Sequence, residues 1–84
     1  MDLLRADQAK IRILKHLLIK EEMTLNELRE AVGGVNFVSV KRSCTFLEKL
    51  GIVQIERRPV GKRRYSWVRL TDAGKSLAVK IARS

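Results

Sequence analysis

The sequence predicts a small α+β fold, mainly helical, and two changes of pattern carry that prediction. From residue 3 to residue 50, apolar residues recur at spacings of three and four, which is the period of amphipathic helices. After Gly51 they alternate with polar residues, as in a half-buried strand, and after Thr71 the helical period returns. We therefore expect a three-helix core, a two-stranded antiparallel β-hairpin and a C-terminal helix, in a single domain over residues 1–84.

The first two helices are predicted over residues 3–20 and about 25–32. The apolar stripe of the first is broader than a narrow coiled-coil seam, so this helix should face a core. The second opens with a capping box, in which the Thr24 hydroxyl accepts from the Glu27 amide while the Glu27 carboxylate reaches back. The pair Gly33-Gly34 ends the second helix, because glycine adopts the left-handed C-terminal conformation at little cost.

The third helix is predicted over residues 36–50 and has two unlike faces. One face is apolar and is expected to be buried: Phe37, Val40, Cys44 and Leu47. The other face carries hydroxyls and cations, and no acid interrupts it before Glu48: Ser39, Lys41, Arg42, Thr45 and Lys49. Because this helix follows the second across a tight glycine turn, the two have helix-turn-helix organisation, and such a polar face suits the major groove of DNA.

The hairpin strands are predicted over residues 52–58 and 64–70, with a turn over 59–64 that proline and glycine mark. The tip and flanks of the hairpin are strongly basic and carry five cations: Arg57, Arg58, Lys62, Arg63 and Arg64. The last helix is predicted over residues 72–83, with Thr71 at its cap.

Four large side chains near the hairpin need a place in this scheme. We expect Phe46 and Leu50 to pack under the hairpin as core. Tyr65 and Trp67 share the strand face opposite that of Val68. They either contact a second copy of the chain or cover the sheet edge over the stems of arginine and lysine side chains, and the sequence leaves both interpretations open.

The charge is divided unevenly along the chain. Residues 1–35 hold six basic and six acidic side chains, so they are neutral, whereas residues 36–84 hold twelve basic and three acidic ones. The whole excess of +9 therefore lies in the half that begins with the third helix. An excess confined to one part of a domain indicates a polyanionic partner, and nucleic acid is the first candidate.

The remaining chemistry of the sequence excludes several classes of site. One cysteine and one histidine, Cys44 and His16, make neither a disulfide nor a zinc site. Cys44 lies on an apolar face and is interpreted as a core residue, with a redox switch as the weaker alternative. No carboxylate pair lies beside a nucleophile in a pocket-forming position, no glycine-rich phosphate loop is present, and the one histidine and one cysteine are far apart, so we expect neither an enzyme nor a cofactor.

No apolar run approaches the roughly 20 residues that a membrane-spanning helix needs. The N-terminal residues include early acids and do not form a signal-peptide pattern, so we expect a cytoplasmic protein with no membrane partner. The sequence also shows no effector pocket, and no small-molecule ligand is expected.

Three stretches together resemble a known family: LNELREAVGG, LEKLGIV at 47–53, and LTDAGKSL at 70–77. In this order, and with a basic hairpin between the last two, they resemble the small winged helix-turn-helix transcriptional regulators of archaea and bacteria, of the MarR, ArsR and PadR kind. The resemblance covers roughly residues 8–80. The sequence shows neither the long flanking helices of MarR and PadR dimers nor the paired cysteines of metal-sensing ArsR members.

The resemblance implies a nucleoid-associated homodimer that binds double-stranded DNA and regulates transcription. The recognition helix, residues 36–50, would lie in the major groove, and the basic wing, residues 57–64, on the backbone or in the minor groove. The candidate DNA-binding residues are Asn36, Ser39, Lys41, Arg42, Thr45, Lys49, Arg57, Arg58, Lys62, Arg63 and Arg64. Arg42 is the first candidate for reading a base, since its fork can bind guanine O6 and N7 together; the alternative is that it only contacts phosphate or is solvated.

Two other functions fit the same fold. One is a winged helix that binds RNA, or nucleic acid without regard to sequence, as an architectural or ribosome-associated protein does. The other is a protein-interaction winged helix within a transcription or repair complex, which would leave the one-sided charge unexplained.

Overall fold

Four helices and a three-stranded sheet make up the chain, in a computed structural model that describes residues 2–33 and 36–83, with side chains from residue 9 onward. In chain order the elements are α1 (Asp2–Lys20), β1 (Glu22–Thr24), α2 (Leu25–Ala31), α3 (Phe37–Lys49), β2 (Val53–Val60), β3 (Arg63–Leu70) and α4 (Asp72–Arg83). The α+β class, the helix-turn-helix and the hairpin wing agree with the sequence prediction. Within the described residues, no helix is long and apolar enough to cross a membrane.

The sheet has one strand more than predicted. Its order is β1-β3-β2, and both neighbours run antiparallel to the central β3. Val68 pairs with Met23 on one side and with Ile55 on the other, which places three apolar residues side by side on the inner face. The predicted two-stranded hairpin is present, and β1 is a third strand that the sequence analysis did not predict. A strand of three residues is too short to show an alternating pattern, and it forms only by pairing with β3.

The hairpin turn is tighter than the predicted one over residues 59–64. Pro59 pairs with Arg64 and Val60 with Arg63, so only Gly61 and Lys62 connect the strands. Gly61 has φ of +64°, which suits a two-residue hairpin turn. Pro59 is accommodated because β2 is an edge strand, where a missing backbone N–H costs little.

Every helix and the inner sheet face contribute to one core. Its buried members are Ile13, Leu14, Leu17, Met23, Leu25, Leu28, Val32, Val40, Cys44, Leu47, Val53, Val68, Leu70 and Ala78. Cys44 lies in the middle of this core, fully buried, as the first interpretation had it. Burial raises the pKa of its thiol to about 12, so the reactive thiolate is not populated near neutral pH.

Three residues predicted to be core are on the surface. Phe37 is 36% exposed, Phe46 is 50% exposed and Leu50 is 58% exposed. The buried stripe of α3 runs through Val40, Cys44 and Leu47 at helical spacing, and Phe46 lies two positions from Cys44, on another side of the helix. Leu50 caps the end of α3, beyond this stripe.

Side-chain caps fix where the helices begin. The Thr24 hydroxyl accepts from the Glu27 amide at 3.1 Å, and the Thr24 amide donates to the Glu27 carboxylate at 3.0 Å, which confirms the capping box. Asn36 caps α3, since its side-chain oxygen accepts from the Val38 amide at 2.8 Å. Gly33, at φ of +101°, follows α2 as predicted; Gly34, its predicted companion in the turn, lies outside the described residues.

The start of the hairpin, its end and the first turn of α4 are in contact around Thr71. The Thr71 amide donates to the Ile52 carbonyl at 3.0 Å, and the Thr71 hydroxyl lies 2.6 Å from the Gly51 carbonyl oxygen. The same hydroxyl accepts from the Gly74 amide at 3.0 Å and caps α4. Gly74 faces the Ile52 carbonyl so closely that a Cβ atom there would lie 1.9 Å from its oxygen. Only glycine fits this position without a movement of the backbone.

Replacement of Gly74 by alanine should destabilise the protein, although the same change inside an exposed helix stabilises by about 1 kcal/mol. The added methyl must push α4 away from Ile52, and overpacking of this kind costs roughly 1–3 kcal/mol or more. Urea unfolding followed by circular dichroism measures the difference. Ser76→Ala, an exposed change on the same helix, is the control and should stay within about 0.5 kcal/mol of wild type. A Gly74→Ala variant as stable as wild type would contradict the close contact.

Candidate nucleic-acid interface

The outward face of α3 carries an uncompensated positive charge. Lys41, Arg42 and Lys49 are all exposed, and none of them forms an ion pair with a described residue. Together with three uncharged side chains they line an open groove of about 440 Å³: Val38, Lys41, Arg42, Thr45, Phe46 and Lys49. Four of the predicted site residues thus lie together on one surface.

Two of the predicted residues at α3, Asn36 and Thr45, also make hydrogen bonds within the protein. Asn36 uses its side-chain oxygen to cap the helix, which leaves its amide group for another partner. The half-buried Thr45 donates its hydroxyl proton to the Lys41 carbonyl at 2.8 Å, so it can offer a ligand only an acceptor. Ser39 is exposed on the first turn of α3.

The wing presents its cations on two faces and at its tip. Lys62 lies in the turn, and Arg63 and Arg64 follow it on β3, all three exposed. Because side chains alternate along a strand, Arg64 lies on the same face as the buried Val68, and Arg63 lies on the opposite face. Arg57, exposed on β2, shares the face of Arg64, since it belongs to the same alternation as Ile55.

Arg58 is occupied within the protein. Its guanidinium donates to the carboxylate of Glu22 in β1 and, at 3.1 Å, to that of Glu56 in β2. The guanidinium also lies over the Trp67 ring, 5.6 Å from the ring centroid. Arg58 therefore joins the two edge strands across the central one. Because its guanidinium has these partners, Arg58 is not included in the proposed DNA interface.

The Arg58 contact bears on one of the two aromatic side chains. Trp67 and Tyr65 lie half-buried on the outer sheet face, and the Arg58 guanidinium covers Trp67. For Trp67 this agrees with the second interpretation, while a contact of either ring with a second copy stays a prediction. The indole nitrogen of Trp67 is buried without a hydrogen-bond partner among the described residues.

The acidic groups near the interface are exposed but bound to partners within the protein. The Glu48 carboxylate accepts from the Ile55 amide at 3.0 Å and so ties the end of α3 to the beginning of the wing. The Glu56 carboxylate binds Arg58, and this hydrogen bond, with the arginine charge, lowers the pKa of Glu56. The carboxylates of α3 and β2 thus have partners within the protein, while the cations on the outer face of α3 and at the wing tip are exposed.

Two contacts near the interface could not be predicted from the sequence. Glu22 and Arg58 are far apart in the chain, and only the unpredicted strand β1 brings them together. The ammonium of Lys10 in α1 lies 5.1 Å from the centre of the Phe46 ring, which accounts for an aromatic side chain on the outside of α3. Among the described residues, no three side chains of the metal-binding types gather as metal ligands do.

The Arg58 network should make stability depend on pH in a defined direction. Because the pKa of Glu56 is lowered on folding, its contribution is present above the ordinary value of 4.5 and is lost as pH falls through the lower folded-state pKa. Arg58→Met keeps an apolar stem over Trp67 but removes the ion pairs. Its deficit in unfolding free energy relative to wild type should be larger at pH 7 than at pH 3.

Urea titrations at the two pH values measure this deficit. Arg57→Met, at the exposed neighbouring position, is the matched control and should show no such pH-dependent deficit. An Arg58→Met deficit of equal size at both pH values would show that the ion pairs contribute nothing.

No protein-family model and no curated protein sequence matches the chain. Its fold, however, is similar to solved structures of transcriptional regulators. The regulator homologue from Pyrococcus horikoshii has a TM-score of 0.77 at 18% identity, over 88% of this chain and 72% of that one. NadR in complex with 4-hydroxyphenylacetate has a TM-score of 0.81 at 24% identity, over 96% of this chain and 57% of that one. Wild-type apo MarR from E. coli has a TM-score of 0.79 at 23% identity, over 89% of this chain and 54% of that one.

These likenesses establish the fold. The chain has the winged helix-turn-helix architecture of MarR-like structures, as the three sequence stretches predicted. It spans little more than half the length of NadR and of MarR.

Proposed function

We propose that the chain binds double-stranded DNA and regulates transcription, with α3 in the major groove and the basic wing on the backbone or in the minor groove. One observation carries the proposal: α3 exposes Lys41, Arg42 and Lys49 along one groove while the carboxylate of Glu48, on the same helix, is bound to the wing. The similar structures are transcriptional regulators, which supports the same function.

The dimensions and chemistry of α3 fit this role. An α-helix with its side chains is about 10–12 Å wide, and the major groove of B-DNA is about 12 Å wide. Arg42 lies near the middle of the exposed groove, where its fork can bind guanine, while Lys41 and Lys49 can bind phosphates on either side. Ser39 and the amide group of Asn36 remain for further contacts at the N-terminal end of α3.

The wing supplies a second contact. Three consecutive cations at its tip, Lys62, Arg63 and Arg64, are exposed and lack ion-pair partners among the described residues. Such a cluster repels itself, and phosphate oxygens along a DNA backbone would relieve that repulsion. Arg57 lies on the same face as Arg64 and extends this contact toward α3.

The proposal includes a homodimer. Several apolar side chains on the first and last helices are exposed, among them Ile19 and Leu77, and a domain of this size gains stability by pairing. A two-fold pair would bind half-sites about one helical turn apart. Sedimentation equilibrium without DNA tests the pairing separately, and a strictly monomeric mass at high concentration would remove the half-site arrangement.

Neutralising the wing should make DNA binding much less dependent on salt. Five or six phosphate contacts give a slope of log affinity against log salt near −5, at about −0.9 per contact. Replacing Lys62, Arg63 and Arg64 by alanine should reduce its magnitude by about 2.7. Fluorescence anisotropy of a labelled duplex, selected from a random pool and titrated at several salt concentrations, measures the slope.

The matched control removes three exposed cations from α1: Arg12, Lys15 and Lys20. It loses the same net charge but should keep the slope within about 1 of wild type. If both triple variants lowered the slope equally, the effect would be that of net charge, and the wing would have no specific contact. Selection that enriched no sequence, with steep salt dependence retained, would favour the architectural alternative.

Arg42→Ala should remove a sequence preference rather than only weaken binding. Loss of a bidentate contact to guanine costs about 1–3 kcal/mol of discrimination at one base pair. Lys49→Ala, at the far end of the same groove, is the control and should weaken binding uniformly across sequences. Binding to the selected duplex and to variants of it with each guanine replaced shows the difference. A variant that still preferred the same guanine would restrict Arg42 to phosphate contact.

A further inference from the structure

Val38 is an apolar side chain exposed among the cations of α3. It is 52% exposed, belongs to no part of the core and does not pack against it. Its backbone is nevertheless held in place, because its amide donates to the Asn36 side chain at 2.8 Å. The cap of α3 therefore fixes the backbone of Val38, but packing within the protein does not account for an apolar side chain at this position.

The surroundings of Val38 indicate what it can contact. It lies three and four positions before Lys41 and Arg42, on the same side of α3, and lines the same groove. The other apolar residue of the groove, Phe46, is covered on one side by the Lys10 ammonium. Val38 thus forms the apolar end of a groove whose charged residues are all cations. A partner for it must combine a small apolar group with negative charge around it.

Thymine in duplex DNA has this combination. Its C5-methyl group is the apolar group that the major-groove edges of unmodified base pairs expose, and phosphates flank it on both sides. Side chains four residues apart on a helix are about 5–6 Å apart, while successive base pairs rise by about 3.4 Å. A side chain at Val38 and one at Arg42 therefore reach base pairs one or two steps apart.

We infer that Val38 is a specificity-determining residue that packs on the C5-methyl of a thymine, one or two base pairs from the guanine bound by Arg42. This inference rests on the proposed function and adds a second, apolar element to base reading. It predicts that a thymine recurs at a fixed short distance from a guanine in selected sites.

Deoxyuridine tests the contact, since it differs from thymidine only by the methyl group. In the selected duplex, each thymine within two base pairs of the guanine is replaced singly by deoxyuridine. At one position per half-site, wild-type affinity should fall about fourfold, which corresponds to one buried methyl group, ~0.8 kcal/mol at 1.4 kcal/mol per tenfold. Val38→Ala, which removes the two γ-methyl groups, should bring this ratio down toward one. Ser76→Ala, at an exposed polar position of α4 outside the apolar residues offered for pairing, should keep the fourfold ratio.

The outcomes separate this inference from the function on which it rests. A selected site that wild type binds equally well with thymine or deoxyuridine would overturn the role of Val38 and leave the DNA-binding regulator standing. An unchanged fourfold ratio in Val38→Ala would assign the methyl contact to another residue. Selection that enriched no site at all would overturn both.

Discussion

The wing depends on one close contact, between Gly74 of α4 and the Ile52 carbonyl. Ile52 leads directly into β2, and Thr71 follows directly after β3, so the two ends of the hairpin are joined by the Thr71 hydrogen bonds at this point. Without a side chain, Gly74 lets α4 approach the backbone at Ile52 and receive its cap from Thr71. The stretches LEKLGIV and LTDAGKSL are therefore in direct contact: the first supplies Gly51 and Ile52, and the second supplies Thr71 and Gly74.

Local signals predicted most of the fold. The predicted helix bounds fall within a residue or so of the observed ones, because the caps at Thr24, Asn36 and Thr71 act within a few positions of themselves. The strand β1 escaped prediction because its three residues become a strand only by pairing with β3, more than 40 positions later. The predicted hairpin turn over residues 59–64 is longer than the observed one, because a proline usually marks a turn, whereas Pro59 belongs to an edge strand that tolerates it.

The candidate site could be predicted as a region but not residue by residue. The division of charge along the chain pointed to α3 and the wing, where the structure also exposes cations. Arg57 and Arg58 are chemically identical neighbours, yet strand alternation exposes one and delivers the other to Glu22 and Trp67. Phe46 was assigned to the core because size and apolarity suggest burial, while its helical phase and the nearby Lys10 place it outside. Which cations remain available depends on partners that only the tertiary fold supplies.

The bond from the Ile55 amide to Glu48 has a further consequence. It joins the end of α3 to the first strand of the wing, across a connection that Thr71 already holds. These hydrogen bonds restrain the separation of helix and wing. On the proposed function, a duplex that deforms easily to match this separation would be bound at lower cost. Base steps that bend or narrow easily between the two contacts would then be favoured without being touched, so part of the sequence preference would reside in the mechanics of the DNA.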